Sequence, residues 1–262
     1  MQFKRTKKQS GFTLIELLVV IILSTFFSIL ILTFTFEYWR YAYLLQADLD
    51  TLTTRLNAGD ILREEIGTSS GMIIQNSITD THTLVADPSI ASGYYWLPNH
   101  AIPGTTAIGA SGSYKPLIYF ERYSFDSSGS YIMNGSQPYE DEYVLYLNGT
   151  TKSLMQRTLV NPSATGDRLK TSCPPAQATA SCPADKTIAT DIASVATRYF
   201  SRTGNVIDYT SITDPDTGAY IGPDFPVVEV LELTLNLTKK PTFQKTNATS
   251  NSTIIRIALR NS

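Results

Sequence analysis

The hydrophobic pattern at the start of this chain is that of a membrane segment. From Phe12 to Phe36 most residues are apolar, and Glu16 is the only charged one. A helix over these residues would be roughly 37 Å long at about 1.5 Å per residue, which is enough to cross a bilayer. The pattern therefore predicts a membrane-spanning helix that contains one carboxylate.

Beyond Phe36 the pattern becomes amphipathic. Leucines recur at spacings of four, three and four residues, at Leu45, Leu49, Leu52 and Leu56. This period predicts that the helix continues as a rod whose leucine stripe lies on a sheet. The stretch Asn57 to Asp60, which contains Gly59, could kink the rod, and Gly67 to Gly71 should end it. We expect one helix from about residue 12 to residue 66.

From residue 72 onward, short runs rich in β-branched and aromatic residues alternate with turn residues, which indicates β-strands. Asp126 to Gly129 has turn composition, and Asn148-Gly149 is typical of a two-residue hairpin turn. We predict an α+β fold in which the long N-terminal helix packs on an antiparallel β-sheet domain. The predicted strands are residues 72–78, 83–86, 94–97, 117–125, 131–134, 142–148, 153–160, 195–201, 227–238 and 253–260.

The residues before the apolar run distinguish it from a secretory signal peptide. A secretory signal has about 7 to 15 apolar residues followed by a small-residue cleavage site. Here the small residue, Gly11, precedes the apolar run, so cleavage after it would leave the helix on the mature protein. Basic residues keep this end in the cytoplasm; they are Lys4, Arg5, Lys7 and Lys8.

The run from Gly11 to Glu16, followed by Leu17 to Leu23, resembles the class III signal of type IV pilins and type II secretion pseudopilins. The resemblance implies the pilin fold, cleavage between Gly11 and Phe12 by prepilin peptidase, and methylation of the new amino group of Phe12. It also implies that Glu16 of one subunit meets the Phe12 amine of its neighbour and sets their axial register.

The energetic cost of a charge in the membrane also indicates that Glu16 has a partner. A lone carboxylate in hydrocarbon is costly unless it is neutralised or paired, and an α-amino group is a natural partner. The alternative is a simple membrane anchor in which Glu16 lies near the cytoplasmic headgroups, at the first turn of the helix.

The C-terminal half also resembles this family. Residues 199–204, residues 225–230 with the alternating leucines that follow, and Leu259 to Asn261 are similar to the end of the larger minor pilins and of minor pseudopilins of the J-like or W-like kind. Residues 87–190 match nothing in the family.

Two features favour a minor subunit over a shaft subunit. Many major pilins carry a proline in the membrane helix, and this chain has none between Phe12 and Phe36. The globular domain is also large for a packed shaft subunit. We therefore expect a position at the filament tip, in a priming complex with other minor pilins.

Length and charge limit the alternatives. With 262 residues and 42% hydrophobic content, the chain can supply one membrane helix and one sizeable domain. We expect a leader at 1–11, a filament-core helix at 12–36, its amphipathic continuation at 37–66 and a globular domain at 67–262. Removing the leader takes away four cations and no acids, so the net charge changes from −2 to about −6. This charge argues against a nucleic-acid partner.

The two cysteines, Cys173 and Cys182, lie in a stretch rich in Pro, Ala, Ser and Thr. Outside the cytoplasm a disulfide is allowed, and we expect one here. Free thiols are the alternative. A metal site is disfavoured because two sulfurs need two further ligands, and His82 and His100 are the only histidines.

No arrangement of residues in the sequence predicts catalysis. The histidines lie in polar, loop-like sequence, and residues 109–113 lack the spacing of a nucleophile elbow. The acidic runs Glu64-Glu65 and Glu140 to Glu142 have the composition of ordinary helix and loop surfaces. We expect a protein that is not an enzyme and has no cofactor.

Calcium is one open alternative. Asp214 and Asp216 alternate before a glycine, and Asp224 could be a more distant ligand, so the segment could hold Ca²⁺ in a loop. An Asp-Pro-Asp sequence before a glycine is also common in plain turns. Surface binding by the aromatic run Tyr94 to Trp96 is a second alternative, against packing within the sheet.

Taken together, the sequence predicts a non-enzymatic minor pilin. The precursor would cross the cytoplasmic membrane once with its N-terminus inside, and the mature chain would join an extracellular type IV pilus. Its partners would be other pilins, prepilin peptidase, the pilus assembly platform and the membrane, and it would support twitching motility, adhesion or DNA uptake. The alternatives are a minor pseudopilin of a type II secretion system and a tip adhesin or DNA-binding pilin.

Overall fold

The computed structural model describes residues 13–72, 78–80, 95–96, 104–109, 114–200, 203–206, 229–239 and 249–259. Within these ranges a single α-helix precedes a series of β-strands and one short 3-10 helix at Pro175–Gln177. The α-helix is α1, Leu14–Gly67. The strands are β1 (Gly71–Met72), β2 (Ile78–Thr79), β3 (Tyr95–Trp96), β4 (Gly104–Ala107), β5 (Tyr114–Tyr123), β6 (Met133–Asn134), β7 (Gln137–Pro138), β8 (Glu140–Asn148), β9 (Ser153–Leu159), β10 (Lys186–Ala189), β11 (Ile192–Phe200), β12 (Val230–Lys239) and β13 (Thr249–Ala258).

The helix is continuous over 54 residues, so residues 57–60 do not interrupt it. Gly59 lies against β13, where a Cβ on it would be 3.8 Å from Cγ1 of Ile255, an ordinary van der Waals distance. The intrahelical hydrogen bonds and this packing outweigh the low helix propensity of glycine. The helix ends at Gly67, and the backbone N–H of Thr68 donates to the carbonyl of Glu64.

The described strands form two larger antiparallel sheets. The five-stranded sheet has the order β1-β5-β8-β9-β10, and the four-stranded sheet has the order β13-β12-β11-β4. Two small two-stranded sheets are formed by β2 with β3 and by β6 with β7. The predicted α+β fold, with one long apolar N-terminal helix and antiparallel sheets, is confirmed and is consistent with a pilin fold.

The hairpin between β8 and β9 differs from the expected two-residue turn. Asn148 lies opposite Ser153, so the loop has four residues, 149–152. The side-chain Oδ1 of Asn148 accepts hydrogen bonds from the backbone N–H groups of Thr150, at 2.9 Å, and Thr151, at 3.3 Å. An asparagine that bonds the backbone two residues on stabilises a turn of its own, and here that bond replaces the Asn-Gly turn.

The sequence prediction missed three strands: β4, β7 and β10. Each has four residues or fewer, which is too short for the longer runs of β-branched and aromatic residues on which the prediction relied. Pairing with a longer neighbour forms them, as when β4 pairs with residues 194–197 of β11. The predicted strand at 83–86 lies outside the described residues.

The main core lies between the two sheets and the C-terminal part of α1. From the helix come Ala58, Leu62 and Ile66, all nearly inaccessible. The four-stranded sheet contributes the alternating leucines 231, 233, 235 and 237, which the period-2 pattern of a one-sided strand places on one face. The helix packs on β13, β10 and β12.

The predicted leucine stripe does not face the sheet. Leu45, Leu49, Leu52 and Leu56 are between 46% and 60% exposed, and this prediction was wrong. The side of the helix that packs on the domain carries Ala47, Thr51, Ala58, Gly59, Leu62 and Ile66. Small residues on that side let the helix backbone approach the sheet closely, which bulky leucines would prevent.

A second, smaller apolar cluster lies on the other face of the five-stranded sheet. It contains Tyr119, Val144, Tyr146, Met155 and Leu159. Burial raises the pKa of Tyr146, and the nearby Asp185 carboxylate adds to this effect. The sheet is therefore covered on both faces over its central strands.

A disulfide joins Cys173 and Cys182 and closes the loop before β10. Both cysteines are buried. Backbone bonds reinforce the closure, since the N–H of Cys173 donates to Pro183 and the N–H of Asp185 donates back to Cys173, at 2.7 and 2.8 Å. The loop thus leads directly into β10, which contacts α1.

Candidate functional site

The N-terminus of α1 is closed by a reciprocal cap between Thr13 and Glu16. The Glu16 side chain accepts from the backbone N–H of Thr13 at 2.8 Å and from its hydroxyl at 3.0 Å, both at Oε2. The backbone N–H of Glu16 in turn donates to Oγ1 of Thr13 at 3.3 Å. This capping box satisfies N–H groups that have no partner inside the helix. It also holds the Glu16 carboxylate at the first turn of the helix.

No other element of the described structure covers the N-terminal half of α1 from Thr13 to Ala42. Every residue from Thr13 to Tyr43 is exposed, and most of the large side chains among them are apolar. Among the described residues, α1 is the one helix long and apolar enough to cross a membrane. So large an apolar surface needs lipid or other helices around it, because water would solvate it poorly.

The hydroxyl groups in this half are satisfied within the helix itself. Ser24 donates to the carbonyl of Ile21 at 2.9 Å, Ser28 to that of Ser24 at 2.7 Å, and Thr35 to that of Ile31 at 2.7 Å. Such back-bonding lets Ser and Thr reside in hydrocarbon without an unsatisfied polar group. The membrane segment can therefore carry Ser and Thr with little energetic penalty for placing their hydroxyl groups in hydrocarbon.

An aromatic belt follows the apolar run. Its members are Tyr38, Trp39, Tyr41 and Tyr43, all exposed. The rings of Trp39 and Tyr43 lie 6.1 Å apart. Glu37 and Arg40, which are 3.7 Å apart, supply the first charges after Glu16. Tyr and Trp concentrate at the boundary between hydrocarbon and water, so this belt fits an interface of a membrane at the C-terminal end of the apolar run.

Glu65 fixes the C-terminal end of α1 on the five-stranded sheet. Its carboxylate forms an ion pair with Arg122 of β5, a 2.7 Å ion pair with Lys186 of β10 and a 3.2 Å hydrogen bond with Gln156 of β9. Burial opposes the charge on Glu65, but these partners outweigh burial and lower its pKa. The adjacent Glu64 is exposed. Glu64 and Glu65, which have the composition of one acidic surface in the sequence, therefore differ in the fold. Glu65 holds the helix on the sheet, and Glu64 is a surface residue.

Arg55 fixes the middle of the helix on the four-stranded sheet. Its guanidinium donates to the backbone carbonyl of Ser252 at 2.7 Å and to the hydroxyl of Thr253. Both partners belong to β13, at the edge of that sheet. The orientation of α1 relative to the domain is thus set by two polar contacts on opposite sides of the buried helix face.

A buried charge centre, for which the sequence analysis found no signal, lies on the second face of the five-stranded sheet. Arg157 is fully buried and pairs with Asp80 at 2.8 Å and Asp185 at 3.2 Å. Asp185 also accepts from Ser172 and Tyr146, each at 2.6 Å. Because Ser172 and Asp185 flank the disulfide loop, Arg157 ties that loop and the β2 segment to the sheet.

The acids at 140–142 lie on the two faces of the five-stranded sheet. Asp141 is buried and accepts from the hydroxyl of Ser124 at 2.7 Å and the N–H of Asn161 at 2.9 Å. Its neighbours in β8 point to the other face of the sheet, where Glu142 lies opposite Glu121 of β5. Burial raises the pKa of Glu121, and the charges of Glu140 and Glu142 raise it further. Among the described residues, no group of three or more potential ligands could hold a metal ion.

The other predicted site residues are placed as follows. Glu16 is in the cap of α1, and Cys173 and Cys182 form the disulfide. Of the aromatic run, Tyr95 and Trp96 form β3, which pairs with β2. The remainder lie outside the described residues: Gly11, Phe12, His82, His100, Asp214, Asp216 and Asp224.

Comparison with known protein families finds a known motif at the N-terminus of the chain. Residues 6–32 match the prokaryotic N-terminal methylation motif. The match supports a type IV pilin-like protein that prepilin peptidase processes. It covers the predicted cleavage bond, the Thr13–Glu16 cap and most of the membrane segment. With the exposed apolar helix, the motif indicates a membrane-anchored pilin-like chain. No curated protein and no solved structure matches the chain.

Proposed function

We propose that this chain is a minor pilin, cleaved between Gly11 and Phe12 and assembled through α1 into a type IV pilus. The observation that carries the proposal is the exposed N-terminal half of α1, which begins within the methylation motif and presents a largely apolar surface outside the globular domain. The function needs no catalytic group and no cofactor. After export, the globular domain would lie outside the cell, where its disulfide is stable.

The geometry of the cap supports a role for Glu16 in assembly. Cleavage after Gly11 would create an amino group on Phe12, immediately before Thr13. The capping box holds Glu16 in the same turn, so both charges of a prospective intersubunit pair would lie at one end of the helix. A neighbour offset along the axis could then pair its amine with this carboxylate and neutralise both within the filament.

The size of the domain favours a minor subunit at the tip. Two sheets pack on one side of the C-terminal part of α1, and the segment tied down by Arg157 adds to the far face of the five-stranded sheet; such bulk suits a subunit that covers the end of a helical rod. The resemblance of the C-terminal half to J-like or W-like minor pseudopilins supports an alternative to the minor pilin. In that alternative, the chain would serve in a type II secretion system instead of a pilus.

The proposal is tested by blocking the cut. Gly11→Ala should leave the chain 11 residues longer in cells that contain prepilin peptidase, and the longer chain should be missing from sheared surface filaments. Ser10→Ala, one residue earlier, is the matched control and should be processed normally. Normal processing of the Gly11→Ala chain would overturn the leader assignment.

Assembly is tested separately from processing. Glu16→Ala should be cut normally yet be strongly reduced in sheared filaments, because the intersubunit pair is lost. Glu37→Ala removes an exposed acid from the other end of the membrane segment and should assemble normally. Equal incorporation of the two variants would refute the role of Glu16.

Deletion of the chain separates assembly from binding. Loss of surface pili would support the priming role at the tip. Normal piliation with lost attachment or DNA uptake would instead support a tip adhesin or DNA-binding pilin. Retention of normally secreted enzymes inside the cell would point to a secretion pseudopilin.

A further inference from the structure

We propose that the five-stranded sheet carries, on its face away from α1, a docking surface for an arginine-bearing segment of a partner protein. The surface has an aromatic patch next to an acidic rim. The aromatic patch consists of Tyr123, Phe125, Tyr131 and Met133, and the acidic rim consists of Glu121, Glu140 and Glu142. The proposed function assigns no partner to this face of the domain.

The aromatic patch is formed where the chain reverses after β5. Phe125 forms a β-bridge with Tyr131 across the turn at residues 126–130. The ring centroid of Tyr131 lies 4.9 Å from that of Phe125 and 5.6 Å from that of Tyr123. Met133 follows Tyr131 by two residues, so alternation along the strand places it on the same side. The four residues therefore form one continuous surface.

The aromatic patch is exposed although it is apolar. Tyr131 is 54% exposed and Met133 is 49% exposed, while Tyr123 and Phe125 are partly buried beside them. Contiguous exposed apolar side chains of this kind mark interaction sites. Tyrosine is enriched among the residues that dominate binding energy, and methionine adapts its shape to a partner.

The acidic rim adjoins the aromatic patch on the same face. The register of β5 and β8 places Glu140 opposite Tyr123, and Glu142 opposite Glu121. Like charges that lie directly opposite each other in a sheet are destabilising. Gly71 of β1, which pairs with Glu121 on its other side, has no side chain to cover the carboxylate. The domain therefore carries an electrostatic cost at this position.

The described part of the chain forms no ion pair with the acidic rim. Arg122 follows Glu121 in β5, but its side chain lies on the opposite face of the sheet, where it pairs with Glu65 of α1. Arg168, near the turn of the aromatic patch, donates to the backbone carbonyl of Asn161. A cation supplied by a partner would remove the repulsion within the rim.

The charge state of the rim agrees with this geometry. Burial raises the pKa of Glu121, and the charges of Glu140 and Glu142 raise it further. Burial also raises the pKa of Glu142. A bound cation would lower both pKa values again, because it favours the charged carboxylates.

Aromatic faces beside carboxylates have the chemistry that a guanidinium group recognises. A guanidinium can stack on the Tyr131 ring by a cation–π interaction and donate two parallel N–H bonds to a carboxylate such as Glu140. A lysine ammonium lacks this planar fork. Apolar side chains next to the arginine would cover Met133. An acidic partner would be repelled by the rim, and a purely apolar one would leave it unneutralised, so the surface fits an arginine-bearing segment.

The test is a titration of the full-length chain in an uncharged detergent, followed by the methyl NMR signals of its methionines. Met133 reports on the aromatic patch, and Met155, in the buried cluster of the same sheet, is the internal control. The probe is the end-blocked peptide Gly-Arg-Leu-Arg-Gly, and its matched control has citrulline, an uncharged analogue, in place of arginine. The arginine peptide should shift the Met133 signal, leave Met155 in place, and bind about fivefold more tightly than the citrulline peptide.

Variants test the two parts of the surface separately. Tyr131→Leu keeps apolar bulk but loses the ring, and it should weaken binding of the arginine peptide about threefold. Ile254→Ala, at an exposed apolar position of β13, should leave binding unchanged. Glu140→Gln should also weaken binding about threefold, whereas Glu64→Gln, an exposed acid of α1, should not. An unchanged Met155 signal shows that each variant is folded.

Three outcomes would each overturn the proposal. These are a Met133 shift of equal size with both peptides, no Met133 shift at millimolar arginine peptide, and normal binding by a folded Glu140→Gln chain. The first would mean apolar contact alone, and the third would mean that the rim takes no part. Because the titration uses the purified chain, its result is independent of processing and assembly, and failure here leaves the proposed function untouched.

Discussion

The two halves of α1 differ in what surrounds them, although they form one unbroken helix. From Thr13 to Tyr43 all sides are exposed and the surface is apolar. From Ala47 to Ile66 one side is buried in the domain, and the other side is exposed. The first half needs lipid or other helices around it, whereas one side of the second half is covered by the domain of its own chain.

The difference teaches that the side of an amphipathic helix that packs inside its own domain is not always its most hydrophobic side. The buried side begins with small residues, Ala47, Thr51, Ala58 and Gly59, and ends with the larger Leu62 and Ile66. The leucines at 45 to 56 lie on the other side. Close approach to β13 favours the small residues, and the leucines remain available to partners outside the chain.

The largest expected effect comes from truncating the buried side. Leu62→Ala should destabilise the domain by about 2 to 5 kcal/mol, because it removes a nearly inaccessible side chain from the main core. Leu56→Ala is the matched control on the exposed side and should change stability by less than about 0.5 kcal/mol. Urea unfolding of the detergent-solubilised chain measures both. Similar losses for the two variants would mean that the leucine side also packs on the domain.

A smaller effect should follow from neutralising the acid that anchors the packed half. Glu65→Gln should destabilise the domain by about 1.5 to 3 kcal/mol, since Arg122 and Lys186 lose a charged partner. Glu64→Gln, its exposed neighbour, should be close to neutral. The same unfolding measurement distinguishes them. A neutral Glu65→Gln would show that apolar packing alone holds the helix on the sheet.

The Glu65 effect should also depend on pH. Its pKa in the folded state is lower than the ordinary value of 4.5, so its contribution is fully present above pH 4.5 and is lost as the pH falls through the folded pKa. The stability difference between wild type and Glu65→Gln should therefore be constant from pH 7 down to about 5 and shrink below pH 4.5. A difference that stays constant to pH 3 would contradict the ion pairs.

The smallest effect tests whether the two halves are one rigid rod. Gly59→Ala should stabilise the chain by about 0.5 to 1 kcal/mol, because alanine has the higher helix propensity and its Cβ would make only ordinary contacts with Arg63 and Ile255. Thermal unfolding followed by circular dichroism would detect the gain. A loss of stability would indicate that the helix bends at Gly59 or packs more tightly there.

Sequence reasoning succeeded where one local pattern controls the outcome. The apolar run and its amphipathic continuation predicted the helix close to its ends at Leu14 and Gly67. Alternating leucines predicted β12, because a strand with one buried face has a period of two. Sequence reasoning failed where a local signal competed with another contact. At Asn148, for example, the side chain accepts hydrogen bonds from the loop backbone, and the two-residue Asn-Gly turn does not form.

The residues that organise the domain carried no signal in the sequence. In the sequence, Glu65 cannot be distinguished from Glu64. In the folded domain, β5 and β10 place Arg122 and Lys186 beside Glu65. Arg157 resembles any arginine in a strand until Asp80 and Asp185, which are 77 and 28 residues away, meet it in the interior. Ion pairs between residues so distant in sequence follow from topology, which no local period encodes.

The sequence by itself determined the membrane helix, the processing motif and the α+β class, because hydrophobic period and composition act over a few neighbouring residues. Only the tertiary structure decided which side of α1 is buried. That choice depends on how closely a helix backbone can approach a particular sheet, and this distance is set by residues far along the chain, such as Ile255 of β13. The exposure of Leu45, Leu49, Leu52 and Leu56 is the consequence of that choice.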